Sequence, residues 1–476
     1  AIIQIPARSL LTIGECSSAD FYATRKKLFH PPEKMKDADL ACLGIAVDIG
    51  TTTVAALLVD LSTGTILARE SAYNRQIEMA DNIASRIALC CEADNVLKFQ
   101  QLLIEETLVP MFDNCVAAEC FASQGQSASE VLGRVTQIVF SGNTVMSHLA
   151  LGLSPLCIGT IPFEPITKVY SEHAAPELGL TCCPNATVRT VPSIAGYVGG
   201  DIVSDLYISE LTDDGLELLV DIGTNGEIVL SDRGVLTATA TAAGPAFEGA
   251  GLLHGARAGE GVIETITCNA DDSIDYQTIG DKQAVGICGS AVVDFMASAL
   301  KTGLLNQMGR FDLDRLRSVG RLEQMDCQGM NVNACIISPG DITITEFDIS
   351  QIMKAKAAVY AGIRTLIERA GYQLADLDRL VLAGGFAAHL KIENAITIGL
   401  LPELPFAIYD VVGNGSLAGA YAALGASNVW QEFQMISERP ESFHLADTGE
   451  FNDCFIDALA LPNLDPDEFP KTMERL

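Results

Sequence analysis

One short motif occurs twice in the sequence, and this repeat constrains the fold more than any other feature. The first copy, IAVDIGTTTVAALLVDLSTGTIL, covers residues 45–67, and the second, LLVDIGTNGEIVLSDRGVL, covers residues 218–236. Each copy is an apolar run that ends in Asp-Ile-Gly-Thr, followed by a second apolar run and a glycine-containing turn. The repeat predicts two related half-domains.

The residues of the first copy are typical of a loop that binds phosphate between two strands. Residues 43–48 alternate as a buried strand does, and residues 54–60 predict a return strand. Gly50 allows a tight turn and brings backbone N–H groups close to a phosphate, and Thr51 and Thr52 add hydroxyl donors. A P-loop instead joins a strand to a helix and needs Gly-Lys-Ser/Thr, which is absent here.

The second copy supplies the same parts, and the two copies together predict one nucleotide held in a cleft. Its loop residues are Gly223, Thr224 and Asn225. Asp48 and Asp221 end the two first strands, and paired carboxylates suit Mg²⁺ because this ion keeps much of its hydration shell. The alternative is that both copies are ordinary hairpins with Asp-Ile-Gly turns.

Composition limits the classes of function. The chain has 476 residues, which is too long for one core, and it has 30 Lys and Arg against 61 Asp and Glu, a formal net charge of −31. This balance argues against a general binder of nucleic acid or anionic membranes, since phosphate groups demand basic patches. No apolar run is long enough to cross a membrane, and we expect a cytoplasmic protein.

The fourteen cysteines are scattered and contain no CxxC pair. Cys115 and Cys120 have the spacing of the first two ligands of a plant-type iron–sulfur cluster, but Ser123 stands where the next cysteine would be. We therefore predict no cluster and no disulfide within this chain, and mostly buried free thiols.

The order of patterns along the chain predicts an α/β protein with a mixed sheet. Residues 1–40 are a polar lead-in or linker, 41–205 a first half-domain, 206–460 a second half-domain, and 461–476 a tail that is docked or loose. Helical periodicity covers residues 79–89, 96–116 and 349–368, and SGN at 141–143 is a turn that caps a further helix.

A third glycine-rich segment, RLVLAGGF, predicts a strand that ends at Gly384 and Gly385, beside Phe386. Paired glycines leave room for a flat base or ribose against the backbone, although a simple strand–helix turn is the commoner reading. One helix is predicted for residues 387–402. The later segment GNGS at 413–416 enters another helix, and its spacing differs from the dinucleotide fingerprint GxGxxG.

Two acidic residues are candidates for catalysis. Asp201 follows two glycines in GYVGGDIVSDLY, where a carboxylate can polarise water or a hydroxyl for in-line attack on a γ-phosphate. The alternative role of Asp201, compatible with the first, is a helix N-cap. Glu248, in GPAFEG, can contact Mg²⁺, position water or cap a helix, and the sequence does not choose among these.

These motifs, in this order, resemble those of the acetate and sugar kinase, Hsp70 and actin ATPases over about residues 41–425. The resemblance implies two ribonuclease-H-like subdomains with ATP and Mg²⁺ in the cleft between them. It implies that Asp201 is the catalytic base and that Asp48 and Asp221 hold the water ligands of Mg²⁺. The two loops would grip the phosphates, and Gly384-Gly385 would flank the adenosine.

Longer segments are similar to one family in this group, the reductive activators of corrinoid proteins. They are SGNTVMSHLALGLSP, VDIGTNGEIVL, TAAGPAFEGAGLLHGARAGEGVI and GICGSAVVDFMASALKTGLL. The resemblance implies an ATPase that couples hydrolysis to reduction of a Co(II) corrinoid to Co(I), in support of methyl transfer such as O-demethylation. The implied partners are a corrinoid protein and a reduced iron–sulfur donor, and a homodimer is compatible with the family.

The sequence departs from this family pattern in its first part. The family carries the electron on an N-terminal 2Fe–2S domain with clustered cysteines, and this chain has no such cluster. We expect the middle domain to be missing or reduced to residues 10–40, and the chain to be an ATPase portion or a short form with a separate donor. A small-molecule kinase of the superfamily and an actin-like structural ATPase are the alternatives.

Overall fold

The computed structural model describes residues 42–117, 127–211, 214–327, 329–338, 342–405, 408–425, 427–443, 445 and 449–476. These residues form two compact units. The first takes in the described chain up to Asp214, together with Ser231–Ala238 and Val412–Ser442. The second consists of Gly215–Leu230, Thr239–Val411 and Phe443–Leu476. The predicted lead-in, residues 1–40, and Cys120 lie outside the described residues.

A six-stranded mixed sheet with the order β3-β2-β1-β4-β6-β5 forms the centre of the first unit. The first two strands pair antiparallel around the first loop, as predicted, while β4 runs parallel to β1 and β6 parallel to β4. Their apolar residues, with those of the helices, form one buried core. The strands are β1 Leu43–Ile49, β2 Thr53–Asp60, β3 Thr65–Tyr73, β4 Val135–Gly142, β5 His173–Ala174 and β6 Thr187–Thr190.

The predicted helix over residues 96–116 is interrupted by one π-helical turn, Ile104–Leu108. Pro110 follows this turn and has no N–H to donate, so one backbone hydrogen bond of a regular α-helix cannot form there. The wider π-helical turn accommodates this missing bond. The helices of the first unit are α1 Ile83–Leu89, α2 Ala93–Leu103, α3 Val109–Val116, α4 Ala128–Leu132, α5 Thr144–Ala150, α6 Gly200–Ser209, α11 Gly415–Gly425 and α12 Ser427–Glu438.

A second six-stranded sheet has the order β17-β16-β7-β8-β9-β18, and two three-stranded sheets have the orders β11-β10-β12 and β13-β14-β15. The strands are β7 Leu216–Ile222, β8 Gly226–Asp232, β9 Val235–Thr241, β10 Val262–Cys268, β11 Ile274–Thr278, β12 Gly286–Ile287, β13 Leu322–Cys327, β14 Met330–Ser338, β15 Ile342–Thr345, β16 Arg379–Ala383, β17 Tyr409–Gly413 and β18 Glu441–Ser442. The second unit has its own continuous core.

The helices of the second unit include the long one that the periodicity predicts. It spans Glu346–Arg369, and a capping box between Thr345 and Asp348 fixes its start. The helices are α7 Gly289–Lys301, α8 Leu313–Ser318, α9 Glu346–Arg369, α10 Ile392–Thr397, α13 Gly449–Asp457 and α14 Pro470–Met473.

The single helix predicted for residues 387–402 is wrong. A short 3₁₀ turn, Ala387–His389, is followed by extended backbone at Leu390 and Lys391, and α10 begins only after them. The Lys391 amine and the Asn394 amide both donate to the buried Asp294 carboxylate, each at 2.6 Å. These two hydrogen bonds compensate the buried charge of Asp294, and they favour the break in the helix.

The C-terminal tail is docked on the second unit, which decides between the two readings of residues 461–476. Phe469 is fully buried, and the amide and hydroxyl of Thr472 donate to the Glu403 carboxylate. The fully buried Lys356 amine donates to the carbonyls of Ala460 and of Pro462, the latter at 2.6 Å. Burial lowers the pKa of Lys356 well below its usual value.

The cysteines within the described ranges are free thiols, and most of them are buried. Burial raises the pKa of Cys90, Cys268 and Cys288 to about 11, so these thiols are poor nucleophiles near neutral pH. Over the same ranges, no helix combines the length and the apolar character needed to cross a bilayer.

Candidate functional site

The first loop holds three successive carbonyl groups against the interior of its unit. The Asn74 side-chain amide donates to the Gly50 carbonyl at 2.9 Å, and the Asn74 backbone N–H donates to the Thr52 carbonyl at 2.9 Å. The guanidinium of Arg86 donates to the Thr51 carbonyl at 2.7 Å. In a planar trans peptide the next N–H points the opposite way, so the amides that follow these carbonyls point away from these donors. This orientation suits an anion.

Gly50 is required for the close turn of this loop. A Cβ at this position would lie 2.2 Å from the carbonyl oxygen of Thr53, an overlap that only backbone movement can relieve. The loop thus contains a required glycine and three carbonyls that accept hydrogen bonds, which limits how far it can adjust.

Asn143 connects the first loop to the SGN motif, and its cap on α5 is as predicted. Its side-chain oxygen accepts from the Met146 N–H at 3.0 Å, and its side-chain nitrogen donates to the Thr51 hydroxyl at 3.1 Å. The same side chain therefore begins a helix and anchors the loop.

We expect Asn143→Ala to lower the free energy of unfolding by about 1–2 kcal/mol, as the loss of a helix cap does. The loss of the Thr51 contact should in addition weaken ATP binding several-fold. Asn82→Ala is the matched control, because Asn82 caps α1 through the Ser85 N–H at 2.8 Å and contacts no loop residue among its described bonds. Equal ATP affinities of the two variants, measured by titration calorimetry, would remove Asn143 from the loop's support.

Asp48, at the end of β1, accepts two hydrogen bonds from the GNGS segment. The Asn414 amide lies 2.8 Å from one carboxylate oxygen, and the Ser416 hydroxyl lies 2.7 Å from the other. Asn414 also caps α11 through the Leu417 N–H at 2.8 Å, and Gly413 before it has a φ of 73°. This segment therefore orients the carboxylate, a role that its spacing did not predict.

Asp201 lies in the first turn of α6 and is not its N-cap, so that alternative is wrong. The N-cap is Gly199, and the Asp201 carboxylate accepts from the Ile202 N–H at 2.8 Å. A Cβ on Gly199 would lie 2.4 Å from the Asn143 Cα, and the Ser141 hydroxyl donates to the Gly200 carbonyl at 3.2 Å. The glycines thus let the start of α6 pack directly on the SGN motif.

In the second unit, the adenosine candidate lies directly beside Asp221. Strand β16 runs parallel to β7 with Ala383 opposite Asp221. Gly384 has a φ of 93°, and a Cβ there would lie 2.4 Å from the Asp221 Oδ1 and 2.8 Å from the Ile222 carbonyl oxygen. Among the described residues, no atom lies within 4 Å of a Cβ built on Gly385. The paired glycines therefore have different roles, one in close packing and one beside open space.

The GPAFEG segment completes this group. The Thr224 hydroxyl donates to the Glu248 Oε1 at 2.7 Å, and the Gly244 N–H donates to the Thr224 carbonyl at 2.8 Å. The rings of Phe247 and Phe386 stack with centroids 4.7 Å apart. The second loop, Glu248 and the Gly-Gly-Phe segment, which are far apart in sequence, are therefore neighbours in this unit.

The predicted residues thus form two groups, one in each unit. Asp48, the Gly50–Thr52 loop and Asp201 belong to the first, and Asp221, the Gly223–Asn225 loop, Glu248 and the Gly384–Phe386 segment to the second. Within the described residues, no cluster of three or more His, Cys, Asp or Glu is arranged to hold a metal ion directly. Mg²⁺ usually binds one or two carboxylates together with substrate phosphates, so Asp48 and Asp221, one candidate carboxylate in each unit, fit an ion that arrives with a nucleotide.

Three residues that the sequence analysis did not predict support this site: Asn74, Arg86 and Ser416. A signal existed for Arg86, which is the one charged residue in the apolar helix IASRIAL. A single arginine among buried apolar positions needs polar partners, so its presence predicts a polar site in the interior.

Comparison with known proteins identifies the family. The family model described as the C-terminal domain of RACo, the ASKHA domain, matches residues 215–473. A second model, the RACo middle region, matches residues 43–214. The chain belongs to the RACo family. Its fold is the mixed α/β fold of the ASKHA group, to which actin, Hsp70 and sugar kinases belong, as predicted.

Two curated relatives and one solved structure agree with this family assignment. The chain is 33% identical to the corrinoid activation enzyme RamQ of Eubacterium limosum over 79% of its own length and 63% of RamQ. It is 25% identical to a Co(II) methylated amine-specific corrinoid protein reductase of Methanosarcina barkeri, over 87% of the chain and 76% of that protein. A solved structure of a reductive activator for corrinoid, iron-sulfur protein is 34% identical, with a TM-score of 0.84 over 91% of this chain and 68% of that one.

The comparison corrects one expectation. The middle region of the RACo family was expected to be missing or reduced to residues 10–40, yet its family model matches residues 43–214, the segment with the first loop and Asp201. The same residues are the predicted actin-like half-domain and the middle region of the RACo family. The motifs predict the half-domain but do not indicate that the family calls it the middle region.

Proposed function

We propose that this chain is the ATPase part of a reductive activator of corrinoid proteins. ATP hydrolysis on the chain drives transfer of one electron to a Co(II) corrinoid, which becomes Co(I) and can accept a methyl group. The observation that carries the proposal is the similarity to the solved reductive activator, at 34% identity over 91% of this chain. The chain spans 63% of the length of RamQ.

The substrate of the hydrolysis step is ATP with Mg²⁺. Gly50, Thr51 and Thr52 hold phosphate oxygens through their backbone and hydroxyl groups, as do Gly223, Thr224 and Asn225. The carboxylates of Asp48 and Asp221 accept hydrogen bonds from the water ligands of Mg²⁺.

The other site residues act on the reaction and on the nucleoside. Asp201 accepts a proton from the attacking water, and Glu248, bonded to Thr224, orients that part of the second loop. The adenosine lies along Gly384, Gly385 and Phe386, where open space adjoins Gly385.

Hydrolysis can drive reduction only if ATP binds one conformation of the chain better than another. In the proposed cycle, the ATP-bound conformation binds the Co(II) corrinoid protein and changes the surroundings of the cobalt so that Co(I) is less costly to form. The electron comes from a reduced iron–sulfur donor outside the described residues, and that donor is oxidised by one electron for each cobalt reduced. The reaction takes place in the cytoplasm, and a homodimer is compatible with it.

The test is ATP hydrolysis by the purified chain with a corrinoid protein in the Co(II) state and, in parallel, with its cobalt-free form. We expect stimulation by the Co(II) protein alone, and the appearance of the Co(I) absorption spectrum once a reduced iron–sulfur donor is added. Hydrolysis that no corrinoid protein stimulates would contradict the proposal. Phosphorylation of a hydroxyl compound would instead establish the kinase alternative, and filaments formed with ATP the structural one.

A further inference from the structure

A buried arginine lies directly behind the first loop. Arg86, on α1, has no exposed surface. Besides the Thr51 carbonyl, its guanidinium donates to the Ala80 carbonyl at 3.0 Å and to the Gln76 Oε1 at 2.9 Å. The Met146 sulfur lies 3.1 Å from the same nitrogen that contacts Gln76. All four of these contacts are to uncharged groups.

The charge of Arg86 is not neutralised within the described chain. No carboxylate lies within ion-pair distance of its guanidinium among the residues that the structure describes, and the exposed Asp81 acts on it only from farther away. Burial lowers the pKa of Arg86 to about 10, which still leaves it charged at neutral pH. A buried, unpaired charge is costly, and a fold keeps one when a ligand or partner offsets that cost.

We propose that Arg86 is a positioning residue for the polyphosphate of the nucleotide, with its charge offset by the bound phosphates across the Gly50–Thr52 loop. This inference rests on the proposed function, since it requires that the loop bind ATP. Arg86 acts through Thr51, whose carbonyl it holds, and it does not itself contact the ligand.

Two physical effects reach the phosphates through this arrangement. The hydrogen bond to the Thr51 carbonyl fixes the peptide whose N–H, on Thr52, points the opposite way. The positive charge attracts the phosphates through the interior, where screening by water and salt is weak. The second effect grows with the charge of the ligand, so Arg86 should favour ATP over ADP and ADP over AMP.

Substitutions that separate charge from hydrogen bonding test the inference. Arg86→Lys keeps the charge, and Arg86→Gln keeps a donor without it. We expect Arg86→Gln to weaken ATP binding by about tenfold or more, ADP binding less and AMP binding little. Arg86→Lys should retain most of the wild-type order of affinities. Titration calorimetry with the three nucleotides, at two salt concentrations, supplies these values on the whole chain.

The outcomes are distinguishable. Equal losses for Arg86→Lys and Arg86→Gln, or equal losses for all three nucleotides, would show a purely structural role and overturn the inference while leaving the proposed function intact. A wild-type chain that binds no nucleotide would overturn both.

A surface variant covers the case in which the Arg86 variants do not fold. Asp81→Asn removes the exposed carboxylate that partly compensates Arg86, and it should raise ATP affinity about twofold. Asp94→Asn is the matched control, because Asp94 is also exposed and does not act on the Arg86 charge. Identical ATP affinities for these two variants would contradict the inference.

Discussion

Asp201→Asn is expected to lower ATP hydrolysis by about 10²–10⁴-fold, the usual range for loss of a general base, while ATP affinity changes little. Asparagine has nearly the same shape and can still accept a hydrogen bond from the Ile202 N–H, so α6 should begin as before. The amide cannot take a proton from water at neutral pH. Single-turnover hydrolysis and calorimetric binding of ATP, on the same preparation, separate the chemical step from binding.

A control for the lost charge is needed, since Asp201 also lies in the first turn of a helix. A carboxylate there stabilises a helix by about 0.3–1 kcal/mol, so Asp201→Asn carries a small cost in stability. Asp94→Asn removes a first-turn carboxylate from α2 and should cost about as much without any effect on hydrolysis. Turnover by Asp201→Asn that matches the Asp94→Asn variant would remove Asp201 from the catalytic role.

Local patterns were sufficient to predict the loops but not what supports them. Asp48 at the end of β1, the turn at Gly50 and the return strand all follow from neighbouring residues, and the structure has them where the pattern places them. The donors behind the loop are Asn74 and Arg86, which lie 24 and 35 residues from their acceptors. Pairings at that distance depend on packing, and periodicity carries no information about them.

The same distinction explains one wrong prediction and one contact that was not predicted. The residue types at 387–402 favour a helix. The hydrogen bonds from Lys391 and Asn394 to Asp294 are tertiary contacts, and they favour extended backbone before α10 begins. The prediction that GNGS enters a helix is confirmed by α11, but its spacing did not predict the hydrogen bonds to Asp48. These hydrogen bonds join residues 366 and 368 positions apart in the sequence, so local spacing carries no information about them.

Gly384→Ala is expected to lower the free energy of unfolding of its unit by about 2–4 kcal/mol and to weaken ATP binding by more than about tenfold. A φ of 93° is strained for any residue with a Cβ, and the added atom would overlap the Asp221 carboxylate. Relief of this overlap requires movement of the strand end that carries Asp221, so stability and the second phosphate motif are affected together. Thermal unfolding with and without ATP measures both effects.

Gly385→Ala is the matched control, one residue away and with the same change in composition. Its added Cβ meets no atom of the described chain within 4 Å, and its backbone is not in the left-handed region, so stability should change by less than about 0.5 kcal/mol. If the adenosine lies against this open backbone, ATP affinity should nonetheless fall in a stable protein. Equal stability of the two variants would show that the contact between Gly384 and Asp221 carries no strain. Unchanged ATP affinity of Gly385→Ala would place the adenosine elsewhere, because a methyl group on a backbone surface cannot be added without displacing a base packed against it.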